Sequence, residues 1–403
     1  MKRVKQVLCG VLAAALMIPL AAAAPGSGSK SLSDIQGHWA QKEIETAIAS
    51  GWVDGYPDGT FQPEKTITRA EFTKMLLDAI HLTPDSETVA WMKDNARTGE
   101  VFTVMNEAYT PRLNDMDSHW LTTQGWTNAA LYSGMVVPDD YNGKNFRPEK
   151  EIARYEIALM TDRALGLVNP ANAYAGEALP FADNGDILDW MTGYVNEAVK
   201  AGVLQGYPDN TFRPNKTSTR AEAVVMVQRM LDEMEQGLDP DITVVAQYEK
   251  TSQTGHEVIS REETQAIRLQ VVDQVVYASL NDLDAQLRQM MRDSGDPDAD
   301  NGMLAPLEWF PVEQRYANWV YGAIEPYCYL YWMGDSEYYW YSGMPKEFLA
   351  PARALYGELM VPVCDLNHPS SEPQEMGWQA GWDSETNTLT ILMHYREPWF
   401  QGS

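Results

Sequence analysis

Cysteine is scarce: the 403 residues hold three, Cys9, Cys328 and Cys364. That is too few for a disulfide-built scaffold. Cys9 falls in the leader described next, so one pair remains, and spacing alone does not decide whether it is bridged. Long apolar runs are equally scarce. The single one, residues 7–20, follows Lys2, Arg3 and Lys5 and precedes a string of small residues. This is the order of a secretory signal peptide, here 1–23 with cleavage after Ala23, and the run is shorter than the ~20 residues of a spanning helix. The mature chain is expected to be exported, with no membrane association after cleavage. Basic residues are also short, 30 Lys and Arg against 57 Asp and Glu, a formal charge of −27 that becomes −30 when the three leader cations leave. So acidic a surface repels nucleic acids and anionic lipids, which excludes both as partners. Any anionic ligand then needs cations placed locally. Catalytic signatures are missing: there is no His-Glu-x-x-His, nucleophile elbow or phosphate loop. In "DPDADNG", Asp296, Asp298 and Asp300 alternate as in a calcium loop, but Asn301 and Leu307 stand where such a loop wants glycine and glutamate. A solvated acidic turn is the reading, and no metal or cofactor is expected.

What the chain does have is a repeat. "GYPDGTFQPEKTITRAEF" from Gly55 returns 151 positions later as "GYPDNTFRPNKTSTRAEA" from Gly206, and "PDDYNGKNFRPEKEIARYEIA" is a degenerate copy between them. In all three an aromatic precedes an arginine by eight positions: Phe61 and Arg69, Phe146 and Arg154, Phe212 and Arg220. Each copy opens on an aspartate followed by a tryptophan: Asp34 and Trp39, Asp115 and Trp120, Asp183 and Trp190. Apolar spacing predicts two helices per copy, with Gly51, Gly134 and Gly202 as left-handed C-caps of the first. Thr68 with Glu71, and Thr219 with Glu222, form capping boxes for the second. The middle copy has Ala153 at that cap, a loss of about 1 kcal/mol, and a loop two residues longer.

These motifs, the "TRAE" starts, the "GYPDGTF" and "GYPDNTF" loops and the Asp-to-Trp openings, resemble the S-layer homology family. The resemblance covers roughly half of the chain: copy 1 over 32–82, an insertion over 83–112, degenerate copy 2 over 113–167 and copy 3 over 180–235. It implies an all-α three-repeat bundle with pseudo-threefold symmetry, on the cell wall or surface of a Gram-positive-type bacterium. It also implies attachment to a secondary cell-wall polysaccharide, one bearing pyruvate ketals, in grooves between copies. Arg69, Arg154 and Arg220, each in the first turn of a helix, suit a ketal carboxylate, a forked donor added to the positive end of the helix dipole. Arg154, in the degenerate copy, is expected to contribute least. Trp39, Trp120 and Trp190 fit either of two roles, core aromatics or platforms stacked on a sugar face. Asp34, Asp115 and Asp183 likewise fit N-caps or acceptors of sugar hydroxyls.

Residues 240–403 are expected to form a small α+β domain of unknown function and partner. "DITVVAQYE" reads as a strand. Ser260 with Glu263 reads as a capping box for one long helix over 262–291, on a stripe of Leu269, Val272, Val276, Leu280, Leu283, Leu287 and Met291. A strand is expected over 388–393. The aromatics of 309–348 fit a packed core better than glycan platforms. "PARALYGELM" and "GWDSETNTLTILM" loosely resemble the end of the copper amine oxidase N-terminal-like domain. Two functions follow: a wall-anchored surface protein without catalysis, or a wall-tethered enzyme, such as a glycan hydrolase, with its active site after residue 240.

Overall fold

A computed structural model describes residues 32–98, 107–236, 242–252, 255–272, 275–296, 299, 307–310, 315–320, 323–326, 353–355, 358–365, 378–383 and 385–396. The leader, Cys328, Asp298, Asp300 and most of the 309–348 aromatic stretch lie outside the described residues. Among the described residues no helix is long and apolar enough to cross a membrane.

The first part is helical. Copy 1 holds α1 (Gln41–Ala49) and α2 (Arg69–Ala79), and α3 (Glu87–Asn95) with the short pair β1 (Arg97–Thr98) and β2 (Glu107–Ala108) follows. Copy 2 holds α4 (Trp120–Thr123), α5 (Trp126–Tyr132) and α6 (Arg154–Ala164); α7 (Val168–Ala173) occupies the join; copy 3 holds α8 (Thr192–Lys200) and α9 (Arg220–Gln236). One helix was expected after each tryptophan, but that of copy 2 is split into α4 and α5 at Gly125, whose φ of 87° breaks it. Gly51, Gly134 and Gly202 take φ of 81°, 77° and 71° just past α1, α5 and α8, where a side chain would be strained.

Contacts among the copies run in a cycle. A helix begins with amides that have no partner in their own helix. Here the first two of α2, Arg69 and Ala70, donate to Lys150 and Pro148 of copy 2. Those of α6, Arg154 and Tyr155, donate to Lys216 and Pro214 of copy 3, and those of α9, Arg220 and Ala221, to Lys65 and Pro63 of copy 1. Backbone bridges join Thr68 to Glu151, Ala153 to Thr217 and Thr66 to Thr219. Every copy needs the next one, and the third hands back to the first. The core inside this cycle includes Phe61, Phe146 and Phe212.

The second part is α+β. Strands β3 (Thr243–Ser252), β4 (Gly255–Thr264), β5 (Leu269–Val272) and β6 (Val275–Ser279) lead into α10 (Leu280–Asp293). Then come β7 (Leu307–Phe310), β8 (Arg315–Val320), β9 (Ala323–Pro326), β10 (Arg353–Leu355), β11 (Glu358–Asp365), β12 (Trp378–Asp383) and β13 (Thr388–Arg396). Sheet order is β12-β13-β3-β4, with β13 parallel to β3, beside β10-β11-β6-β5 and β7-β8-β9. The long helix expected over 262–291 is corrected: residues 262–279 lie largely in strands, and the helix starts at Leu280, capped by Ser279, whose side chain accepts from the Asp282 amide. The valines at 271, 272, 275 and 276 favour the pleated state, and their spacing imitated a helical stripe. Ser260 and Glu263 are strand residues and cap nothing.

Candidate functional site

Each loop between a copy's two helices is tied down by the opening aspartate. Asp34 accepts from the amides of Phe61 and Gln62 at 2.8 and 2.7 Å, Asp115 from Phe146 and Arg147 at 2.8 and 2.6 Å, and Asp183 from Phe212 and Arg213 at 2.8 and 2.7 Å. The second donor in each pair sits at positive φ, 56° at Gln62, 53° at Arg147 and 56° at Arg213. Non-glycine residues rarely stay there. Two charge-assisted bonds hold each of them in place. These aspartates therefore tie down loops and do not cap the first helices: α1 begins after Ala40 without a side-chain cap, and each carboxylate oxygen accepts one loop amide.

Arg69, Arg154 and Arg220 open α2, α6 and α9 and are only 7%, 5% and 7% exposed. Each leaves its own copy for the loop of the next. Arg154 donates from Nε to the Phe212 carbonyl at 3.0 Å and from Nη2 to the Gln205 carbonyl at 2.8 Å. Arg220 does the same toward Phe61 at 3.0 Å and Asp54 at 3.1 Å. Their guanidinium groups lie 5.0 Å from the Tyr207 ring centre and 4.9 Å from that of Tyr56. Arg69 differs: Nη1 donates to the Phe146 carbonyl, Nη2 pairs with the buried Glu156, and its ring is Tyr141 at 5.2 Å. Sequence reading missed these tyrosines, although each stands five residues before the buried phenylalanine in every copy. Burial pulls the Arg154 guanidinium below its usual value, while the group remains a cation. At the rim, hydrogen bonds from Thr211 and Arg213 pull the Asp209 carboxyl down to about 2.

Two tryptophans face solvent, Trp39 at 61% and Trp190 at 41% exposure, so the core role is withdrawn for both. Trp120 is half-buried and packs on the core. In the first two copies a histidine precedes the tryptophan and braces it, with ring centres 5.4 Å apart for His38 and Trp39 and 5.2 Å apart for His119 and Trp120. The Nδ1 of each accepts a backbone amide, from Ala40 or Leu121, at 3.2 Å. A cavity of about 250 Å³ shows how a groove is assembled: Arg69 comes from copy 1, Tyr141, Arg147 and Glu156 from copy 2, and Leu188 and Trp190 from copy 3. The cavity wall also carries the side-chain amides of Asn142 and Asn145.

The S-layer homology domain family matches residues 31–73 and 180–224. Relatives include an amylopullulanase of Thermoanaerobacterium thermosulfurigenes, 30% identical over 50% of this chain and 10% of its own length. A cellulosome-anchoring protein of Acetivibrio thermocellus is 30% identical over 45% of this chain and 35% of its own. The S-layer protein EA1 of Bacillus anthracis is 28% identical over 55% of this chain and 22% of its own. The chain thus spans about a third or less of the length of these relatives. Two of the three are named for the cell surface layer or for anchoring, and with the matched motifs they put this chain at the bacterial cell surface.

Proposed function

We propose that the three copies form a pseudo-threefold anchoring unit that holds the chain non-covalently to an anionic secondary cell-wall polysaccharide bearing pyruvate ketals. The observation that carries this reading is the repeated placement of a buried arginine at a helix start, over the tyrosine of the next copy's loop. In a chain of charge −27 these are the local cations that an acidic polymer needs. The helix N-terminus adds its own partial positive charge, and Trp39 and Trp190 offer open faces for sugar rings. One such groove binds modestly, because holding a flexible glycan costs entropy. Several grooves on one cycle make the later contacts intramolecular, and avidity does the rest.

A second reading, a wall-tethered glycan hydrolase with its active site after residue 240, rests on relatives named as an amylopullulanase and an exoglucanase. Co-sedimentation of the full chain with purified cell walls tests the anchor. Native walls should retain it, walls stripped of polysaccharide should not, and removal of the ketal pyruvate should release most of it. Equal retention on stripped walls would sink the proposal. Release of reducing sugar from the same walls would favour the hydrolase.

A further inference from the structure

Resting on the anchoring reading, we infer that the three grooves are unequal: carboxylate binding is concentrated where Arg154 and Arg220 meet Tyr207 and Tyr56, while the Arg69 groove is neutralised by its own Glu156. The guanidinium nitrogens carry the argument. Arg69 has spent Nη1 on a carbonyl and Nη2 on a carboxylate, and its Nε is buried without an acceptor. Its charge is thus already paired with a buried carboxylate. Arg154 and Arg220 spend Nε and Nη2 on carbonyls, which orient the charge without cancelling it. Among the described residues neither makes an ion pair, and the Nη1 of each is neither engaged nor sealed from solvent.

The reason lies in the capping glutamates. Each of Glu156 and Glu222 gives one oxygen to the amide of its cap residue, Ala153 or Thr219. The other oxygen of Glu222 is taken by Lys216 at 2.7 Å. Lys150, the counterpart of Lys216 four residues after the loop phenylalanine, points into solvent, and Glu156 turns to Arg69 instead. The tyrosines report the outcome. Tyr207 gathers Arg154, Arg213 and Lys216 at 5.0, 4.2 and 5.5 Å, and Tyr56 gathers Arg220 and Lys65 at 4.9 and 5.1 Å. Among the described residues Arg69 is the one cation stacked over Tyr141, with Arg147 elsewhere on the cavity wall. The partners of Arg213 and Lys216 at the rim, Asp209 and Glu222, are exposed enough for water to weaken those pairs, so both cations can turn to an entering carboxylate. A carboxylate entering beside Glu156 meets a like charge instead. Arg154 therefore does not inherit the weakness of its copy. It serves the regular third loop, and the degenerate loop is served by Arg69.

Calorimetric titration of the full chain and four variants with a purified wall polysaccharide bearing ketal carboxylates tests the ranking, with melting curves to confirm folding. Arg154→Met should weaken binding about tenfold or more, the loss typical of removing one charged partner. Arg220→Met should follow it, and Arg69→Met should stay within about twofold. Glu156→Gln keeps the cap to Ala153 and frees Arg69, so it should tighten binding severalfold. It decides the matter alone if Arg69→Met fails to fold. Equal losses from all three arginines, or no gain from Glu156→Gln, would overturn the ranking and leave the anchor standing. Failure of the unmodified chain to bind the polymer would remove both.

Discussion

At the scale of single residues, the surroundings of the Asp162 carboxylate oppose its charge. Asp162 on α6 is fully buried, and neither oxygen makes a hydrogen bond of normal geometry. Burial first, then the Glu197 carboxylate on α8, pushes its acid well above the ordinary range. Between the unfolded value near 4 and the raised folded value, the folded chain holds a proton that the unfolded chain has lost. Stability from this site is complete below about pH 4 and declines as pH climbs through that window. Asp162→Asn should therefore raise the melting temperature at pH 7, while the two chains converge at pH 3. A variant that melts lower at pH 7 than at pH 3, relative to the unmodified chain, would contradict this. The sequence conceals Asp162, since an aspartate in "MTDRAL" reads as a solvent-facing helical position. The arginines were legible because their eight-residue spacing repeats. The exposure of Trp39 was not, because one copy cannot reveal which of its faces the next copy covers.

At the scale of elements, the turns, the caps and the strands β3 and β13 were legible, and the strands β4, β5 and β6 were not. Thr68 and Thr219 accept from Glu71 and Glu222 as their three-residue spacing implies, whereas Ala153 leaves only the glutamate half of the box. Such signals are local and need no partner. A strand such as β6 is defined by its neighbours β11 and β5, which its own residues do not encode. Helix contacts hide in the same way. Gly193, near the start of α8, has no turn to make, yet a Cβ there would stand 1.7 Å from the Ala171 carbonyl oxygen of α7. That atom is backbone and cannot swing aside. Gly193→Ala should force α7 and α8 apart and lower stability by roughly 1–3 kcal/mol, the usual cost of overpacking, readable as a reduced urea midpoint. An unchanged midpoint would mean that α7 is not held against α8 in solution.

At the scale of the whole molecule, the segment expected to be a mere insertion joins the two parts. Helix α3 divides its apolar residues between two cores: Val89 belongs to the helical core, while Met92, with Ala96 just past the helix end, belongs to the α+β core with Val244, Leu283 and Ile391. The exchange is mutual, since Tyr277 and Met360 from the sheets pack into the helical core, and Gln270 donates to the Met234 carbonyl at the end of α9. Length alone marked residues 83–112 as an excess over the repeat, but a length carries no address for what it touches. Because each core holds side chains from the other part, melting one exposes apolar surface of the other, and the two should unfold together. Met92→Ala removes a buried side chain from the shared boundary at a cost of about 2–5 kcal/mol. The cavity falls on the α+β side, whereas the cycle of three copies keeps its own contacts. Scanning calorimetry should therefore show one transition for the unmodified chain and two for Met92→Ala, the earlier belonging to the α+β part. Wall retention should persist between the two transitions, because every groove lies within the cycle. A single transition merely shifted downward, with retention lost at the same temperature, would show that the anchor depends on the C-terminal part for its fold.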